Sequence, residues 1–220
     1  MKKIKKSKNS YHHHDLRNAC IERGVEIIAK TGYESLSLRS LAKDLGVSHG
    51  APYKHFKNKN DLLAAILEKS FSIFSEHLQS GYVEGLTEAK SLQLPKKDKM
   101  IYSFKRLAFA YYRFAFEYPN HYRFMFGEAK SEHDIKSKVQ DTMQNTFYYL
   151  IRIIENMQQE GLIINMNSSK LGLFVWSSIH GYTMLKLNNI DEVDEFSFAR
   201  GDHMLELVAD LIYQGIKYKF

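Results

Sequence analysis

"LGVSHGAPYKHFKNKNDL" spans Leu45 to Leu62. Ser48 is a good N-cap, and the residues that follow it read as a short helix ending near Phe56. Gly50 and Pro52 nevertheless fall within its first turn, residue types that weaken helix interiors by roughly 1 and 3 kcal/mol. Close to a helix start the penalty shrinks, because the first N–H groups have no intrahelical partner and proline forfeits only about one early bond. Small residues there let the helix end approach another surface closely. The same end offers unpaired N–H groups and a favourable dipole to a phosphate, and Lys54, Lys57 and Lys59 supply cations.

The flanking sequence completes a unit. Apolar residues from Leu16 to Ile28 recur at helical spacing, and Thr31-Gly32 ends that helix. Ser37 caps a helix over Leu38–Leu45, with Gly46 at its stop. Asn58 or Asn60 opens a longer helix carrying Leu62, Leu63, Ile66, Leu67, Phe71 and Phe74. Residues 38–56 therefore read as helix, glycine-containing turn, helix, a helix-turn-helix, whose second helix enters the major groove of DNA. Tyr53 and His55 suit phosphate oxygens, with partly buried packing as their alternative role. Phe56 is expected to pack inward against Leu41 and Leu45. A compact helical hairpin with solvated lysines is the competing reading of the same pattern.

Charge favours the DNA reading. Residues 1–60 hold 13 Lys/Arg and 5 Asp/Glu, or +8; residues 61–220 hold 18 and 20, or −2. A basic first quarter on a slightly acidic remainder points to a polyanionic partner, although residues 1–10 read equally well as a solvated lysine tail. The start, MKKIKKSKNSYHHHD, is charged but lacks an apolar segment, so secretion is not expected. A single cysteine, Cys20, excludes an intrachain disulfide framework and fits a reducing cytoplasm. No run of about 18 apolar residues is present, so no membrane span or membrane partner is expected.

"SLSLRSLAKDLGVSHGAPYKHFKNKNDLL" resembles the DNA-binding domain of TetR-family transcriptional regulators, and "YHHHDLRNACIERGVEIIAKTGYESLS" resembles that family's first helix and lead-in. His14 stands where related sequences often have glycine. His12–His14 admit metal-ligand or tag readings, with an ordinary lead-in preferred. The resemblance implies that Ser37, Tyr53, His55 and Lys59 contact backbone phosphates. It places His49, Gly50, Ala51 and Lys54 on or near the base-reading surface, behind the Ser48 cap. Arg39 reaches base edges or phosphate. Few of these side chains are bidentate base readers, so backbone contacts and DNA shape are expected to contribute to recognition.

The rest of the chain reads as further helices, giving an all-α fold. A DNA-binding domain is expected over residues 1–62 and a regulatory, ligand-binding and dimerisation domain over 63–220. Gly81–Lys97, with Gly85 and Pro95, reads as a loop. Asp98 opens an aromatic helix that ends before Pro119, and Pro119 begins a short helix closing near Gly127. Ser131–Asp134 reads as a capping-box variant opening a helix to about Glu160. Ser168 or Ser169 opens another to about Leu187, and a last helix occupies roughly Phe196–Lys217.

"FAYYRFAFEYPNHYRFMF" places nine aromatics in 18 residues, Phe109–Phe126. Most are expected to be core, and a subset to line an apolar cavity for a planar or lipophilic ligand. "WSSIHGYTML" resembles a Trp-x-x-x-His-Gly motif of one TetR C-terminal domain type, and "YRFAFEYPNHYRFMF" matches the same type. Candidate ligand contacts are Phe109, Tyr112, Phe116, Phe124, Tyr148, Trp176 and His180. For His180 a buried, hydrogen-bonded role competes with ligand contact. Gly181 is expected to admit a close helix neighbour. By the resemblance, the last two long helices pair with their two-fold mates in a homodimer.

No glycine-rich phosphate loop, nucleophile elbow, H-E-x-x-H or Cys/His metal set occurs, so no catalytic residue, metal or cofactor is assigned. A non-specific architectural DNA-binding protein would share the basic N-terminus but has no use for a large aromatic domain. The expected function is a cytoplasmic, sequence-specific DNA-binding regulator, a repressor released from a double-stranded operator by an apolar or aromatic small molecule. A ligand-dependent activator is the alternative.

Overall fold

A computed structural model describes residues 16–127, 133–189 and 203–217. His12–His14, Ser131 at the start of the expected capping box and the expected start of the last helix at Phe196 lie outside them. Within the described residues the protein is all-α: α1 (Leu16–Thr31), α2 (Leu38–Asp44), α3 (Lys59–Ser91), α4 (Lys96–Glu117), α5 (Pro119–Phe126), α6 (His133–Gln159), α7 (Ser168–Leu187) and α8 (Met204–Ile216). Two 3-10 turns, Tyr33–Ser35 and Pro52–Lys54, complete the N-terminal part.

The N-terminal head is a three-part unit built on local signals. Ser37 and Ser40 form a reciprocal capping box at the start of α2. At its end Gly46 takes φ 67°, with Gly46 N–H donating to Lys43 O and Val47 N–H to Ala42 O. That pair of bonds is a Schellman stop, which needs the left-handed conformation glycine adopts without strain. Cys20, Ile21, Val25, Leu38, Leu41, Phe56, Leu62 and Ile66 are all buried and belong to the protein's core cluster. Burial pushes the Cys20 thiol up to about 11, which leaves it an inert packing residue. Arg23 on α1 grips Asp44 of α2 through two nitrogens at 2.8 and 3.1 Å.

The expected helix from Ser48 to Phe56 is instead a helical turn whose regular part is the 3-10 segment Pro52–Lys54. Pro52 explains the change. An α-helix would have Ser48 O accept from residue 52, which has no N–H; Ala51 N–H donates to it instead at 2.9 Å, an i→i+3 bond. Ser48 thus acts through its carbonyl.

A second correction concerns Gly81–Lys97. α3 runs on through both glycines to Ser91, and α4 returns from Lys96. The glycines serve packing. A Cβ at Gly85 would stand 2.9 Å from Ser103 Cα, and one at Gly81 would collide with Ala110 Cβ. Their absence lets α3 and α4 lie backbone to backbone. α3 begins at Asn58, whose side chain accepts from Asp61 N–H, while Asp61 Oδ2 accepts from Lys57 N–H. Residues 62 and 63, where a domain division is expected, lie within this single 33-residue helix. α5 and α6 also pack on α3, α7 on α4 and α6, and α8 on α4 and α7. Gly181 is exposed and has open space at its Cβ position, so among the described residues it has no close helix neighbour.

Replacing Gly81 by valine is expected to wedge α3 from α4 and lower unfolding free energy by about 1–3 kcal/mol. Adding Ala110→Gly to Gly81→Val should restore part of the loss. Urea denaturation of the three proteins checks this; an unchanged midpoint in Gly81→Val would show that the glycine is not needed for the contact.

Candidate DNA-contacting surface and effector cavity

The proposed DNA-contacting residues lie at or near the surface. Ser37, Arg39, Ser48, His49, Gly50, Tyr53, Lys54 and His55 are exposed, and Ala51 and Lys59 are half-buried. The turn that carries Tyr53, Lys54 and His55 is held from beneath by buried Pro52 and Phe56. Tyr53 is 54% exposed, which contradicts the packing alternative, as does the exposure of His55. The side chains of Ser37 and Lys59 are hydrogen-bonded within the head. The Ser37 hydroxyl accepts from Ser40 N–H at 3.0 Å. Lys59 Nζ donates to Glu34 O at 3.2 Å and lies 5.3 Å from the Tyr33 ring centre. Both residues fix the start of a helix as well as facing outward.

In the body, α3, α4, α5, α6, α7 and α8 enclose a cavity of about 450 Å³, within the usual range for small-molecule sites. Its wall is almost wholly apolar. α3 contributes Leu67, Phe71, Phe74 and Leu78; α4 contributes Phe104, Leu107, Ala108 and Tyr111. Met125 and Phe126 of α5, Met143, Phe147 and Leu150 of α6, and Val175, Trp176 and Ile179 of α7 continue it. Ala209 and Ile212 of α8 close it. Lys105 contributes only its stem as a neutral surface, since its ammonium pairs with Asp210 at 2.6 Å.

Of the seven sequence-proposed ligand contacts, Trp176 lines this cavity. Phe116 and Tyr148 are exposed. Tyr112 stacks between Phe116 and Tyr182 outside it, and Phe109 lies beneath the Arg106 guanidinium. Phe124 is buried core that does not reach the cavity wall. His180 stands behind the wall, its ring 4.9 Å from that of Phe126.

A polar knot backs the Tyr111 side of the cavity. Trp176 Nε1–H donates to Tyr111 Oη at 3.2 Å, and His180 Nδ1 lies 2.8 Å from Tyr111 Oη and 2.9 Å from Tyr122 Oη. Burial pushes the Tyr122 phenol up to about 12 and the Tyr111 phenol well above its usual value. Both therefore stay protonated as hydrogen-bonding groups. These polar atoms are engaged with one another, so this side of the cavity presents rings and methyl groups; Gln144 and Thr146 of α6 add polar side chains to the wall, the Thr146 hydroxyl donating to Thr142 O at 3.0 Å.

α5 joins cavity to head. Its Met125 and Phe126 face the cavity, while buried His121 lies between Ser70 of α3 and Glu22 of α1. Sequence reasoning assigned His121 no role, since no motif surrounds it. Among the described residues no group of three or more His, Cys, Asp or Glu is placed to hold a metal, and no helix is long and apolar enough to cross a membrane.

The profile of "Bacterial regulatory proteins, tetR family" matches residues 21–66, and that of "Tetracyclin repressor-like, C-terminal domain" matches residues 104–207. The "Fatty acid metabolism regulator protein" of Bacillus subtilis (strain 168) is 34% identical over 74 residues, covering 34% of this chain and 38% of that protein. The match thus spans well under half of the curated relative. A protein of unknown function from Rhodococcus sp. RHA1 has the same fold, with a TM-score of 0.75, 26% identity, and coverage of 96% of this chain and 100% of that one. The transcriptional regulator FadR from Bacillus subtilis, solved in complex with stearoyl-CoA, shares the fold with a TM-score of 0.67, 19% identity, and coverage of 90% and 98%. Through its DNA-binding head and its helical body alike, this chain belongs to the TetR family of bacterial transcriptional regulators.

Proposed function

We propose that this regulator is a homodimeric cytoplasmic repressor, released from its operator when an elongated, chiefly apolar molecule fills the body cavity. A long-chain acyl group is the ligand class we favour. The observation that carries this reading is the apolar cavity itself, closed on one side by a helix that also packs on the head. A fatty acid metabolism regulator among the relatives and stearoyl-CoA in a protein of the same fold support the acyl class.

Dimerisation is supported by what α7 and α8 leave uncovered. Leu173, Phe174 and Leu185 on α7 and Leu207 and Leu211 on α8 are all exposed on two helices that pack on each other, and clustered exposed apolar side chains mark interaction surfaces. Two heads about 34–36 Å apart would occupy successive major grooves, supplying the specificity one head lacks. Differential affinity of the effector for a state with another head spacing would then release DNA, by about 5- to 150-fold for a coupling of 1–3 kcal/mol.

Binding to the DNA flanking the chain's own gene, against a scrambled duplex over a salt series, tests the DNA half. Lys54→Ala should weaken both duplexes and reduce the salt slope by about one unit; unchanged binding would remove Lys54 from the contact surface. For the effector half, Ala108→Trp fills the cavity from α4. That variant should keep operator affinity and lose the release that stearoyl-CoA produces in the wild type. Release that survives a filled cavity would place the effector elsewhere.

A further inference from the structure

The Ser70 hydroxyl donates its only proton to Ile66 O at 2.7 Å. The 2.8 Å contact between Ser70 Oγ and His121 Nδ1 must then use the imidazole proton, so Nδ1–H donates to Ser70. This fixes the tautomer. In the neutral ring Nε2 is a bare acceptor, and it faces the Glu22 carboxylate of α1 at 3.6 Å. Two acceptors make no bond. Adding a proton at Nε2 turns the same contact into an ion pair between α5 and α1.

From this geometry we infer that His121 is a positioning residue that sets the DNA-reading head against the body. It anchors α5 to α3 through Ser70 at any pH, and it clasps α1 through Glu22 only when doubly protonated. The inference rests on the operator-binding function proposed above and adds a pH response to it. Because α5 also carries cavity-wall residues Met125 and Phe126, the clasp lies between the effector site and the head. A clasped head keeps its register with the partner's head, and such preorganisation favours the selective site over random DNA.

The groups facing the ring are the Glu22 carboxylate on α1, the Lys69 ammonium and Ser70 hydroxyl on α3, and the Tyr118 ring at the end of α4, 6.0 Å away. Burial holds the imidazole below its usual value of 6.5, with Glu22 opposing the shift and Lys69 adding to it. Between that lowered value and 6.5 the unfolded chain binds more protons than the folded one. Stability therefore falls as pH drops through this window. Removing Glu22 deepens the fall, whereas removing His121 abolishes its share.

The test is a double-mutant cycle with Glu22→Ala, His121→Phe and the double variant at pH 8 and pH 5.5. Two readouts are taken: the unfolding midpoint, and the affinity ratio between a duplex selected from a random library and its scrambled counterpart. Glu22 is exposed, so Glu22→Ala keeps the fold safe even if His121→Phe proves fragile. At pH 5.5, Glu22→Ala should lower the affinity ratio by about threefold or more in the wild-type background and leave it unchanged beside His121→Phe; at pH 8 the effects should be additive. Unfolding midpoints should show the same acid-only non-additivity. Additivity at both pH values, or equal non-additivity at both, overturns the clasp. Should the wild type select no duplex at all, the operator-binding function fails, and the unfolding midpoints still decide the clasp.

Discussion

Gly81 and Gly85 allow α3 and α4 to meet at backbone distance, and this close approach governs the rest of the body. Where two helices touch without side chains between them, their axes cannot drift. The larger residues of the same helices must then fill the space on either side. Toward the head, α3 packs on α1, and its Leu62, Leu63 and Ile66 are almost fully buried. Beside the contact, Phe71, Phe74 and Leu78 of α3 and Phe104, Leu107 and Tyr111 of α4 line the cavity, with Phe74 and Tyr111 meeting edge to face at 5.2 Å. The cavity occupies the gap that α6, α7 and α8 roof over. One continuous helix thus runs from the head and forms a wall of the cavity.

The recognition segment shows a similar economy. A proline at residue 52 removes the one N–H that an α-helix would need after Ser48, and the chain takes the tighter 3-10 path. The tight turn is anchored by Pro52 and Phe56, which leaves Tyr53, Lys54 and His55 on the outside. Cations and hydroxyls presented from a short, well-anchored turn suit backbone recognition, where position matters more than a long reading helix.

The head was legible because its signals are local: a cap at Ser37, a left-handed stop at Gly46 and a cap at Asn58 each announce a boundary within four residues. The order and ends of α5 and α7 followed from Pro119 and the residues around Ser168 for the same reason. Gly81 and Gly85 misled because a helix-weakening residue and a helix-packing residue are the same glycine until its neighbour is known. The cavity was less legible still. Leu67, Phe71, Phe74 and Leu78 recur at the spacing of any buried face, and a wall facing a void has the pattern of a wall facing other side chains. Aromatic density drew attention to Phe109–Phe126, yet Tyr112 and Phe116 point outward while Tyr111 and Phe126 point in. Only Trp176, placed by a motif, was found in advance, and His121 carried no signal because its partners are 51 and 99 positions away.

α5 is the element in which these constraints converge. In eight residues it turns apolar side chains to the cavity, a phenol to the Tyr111–His180 knot and an imidazole to the head. A couplings scale of about 1–3 kcal/mol is typical between regulatory sites, comparable to a few well-placed contacts rather than a rebuilt interface. A short helix with distinct partners on each face can supply that much by shifting as a unit. Packed cores switch between discrete arrangements instead of deforming smoothly, so filling space beside Phe126 and charging the ring of His121 act on one and the same body. On the proposed function, ligand and proton are two inputs to this single helix.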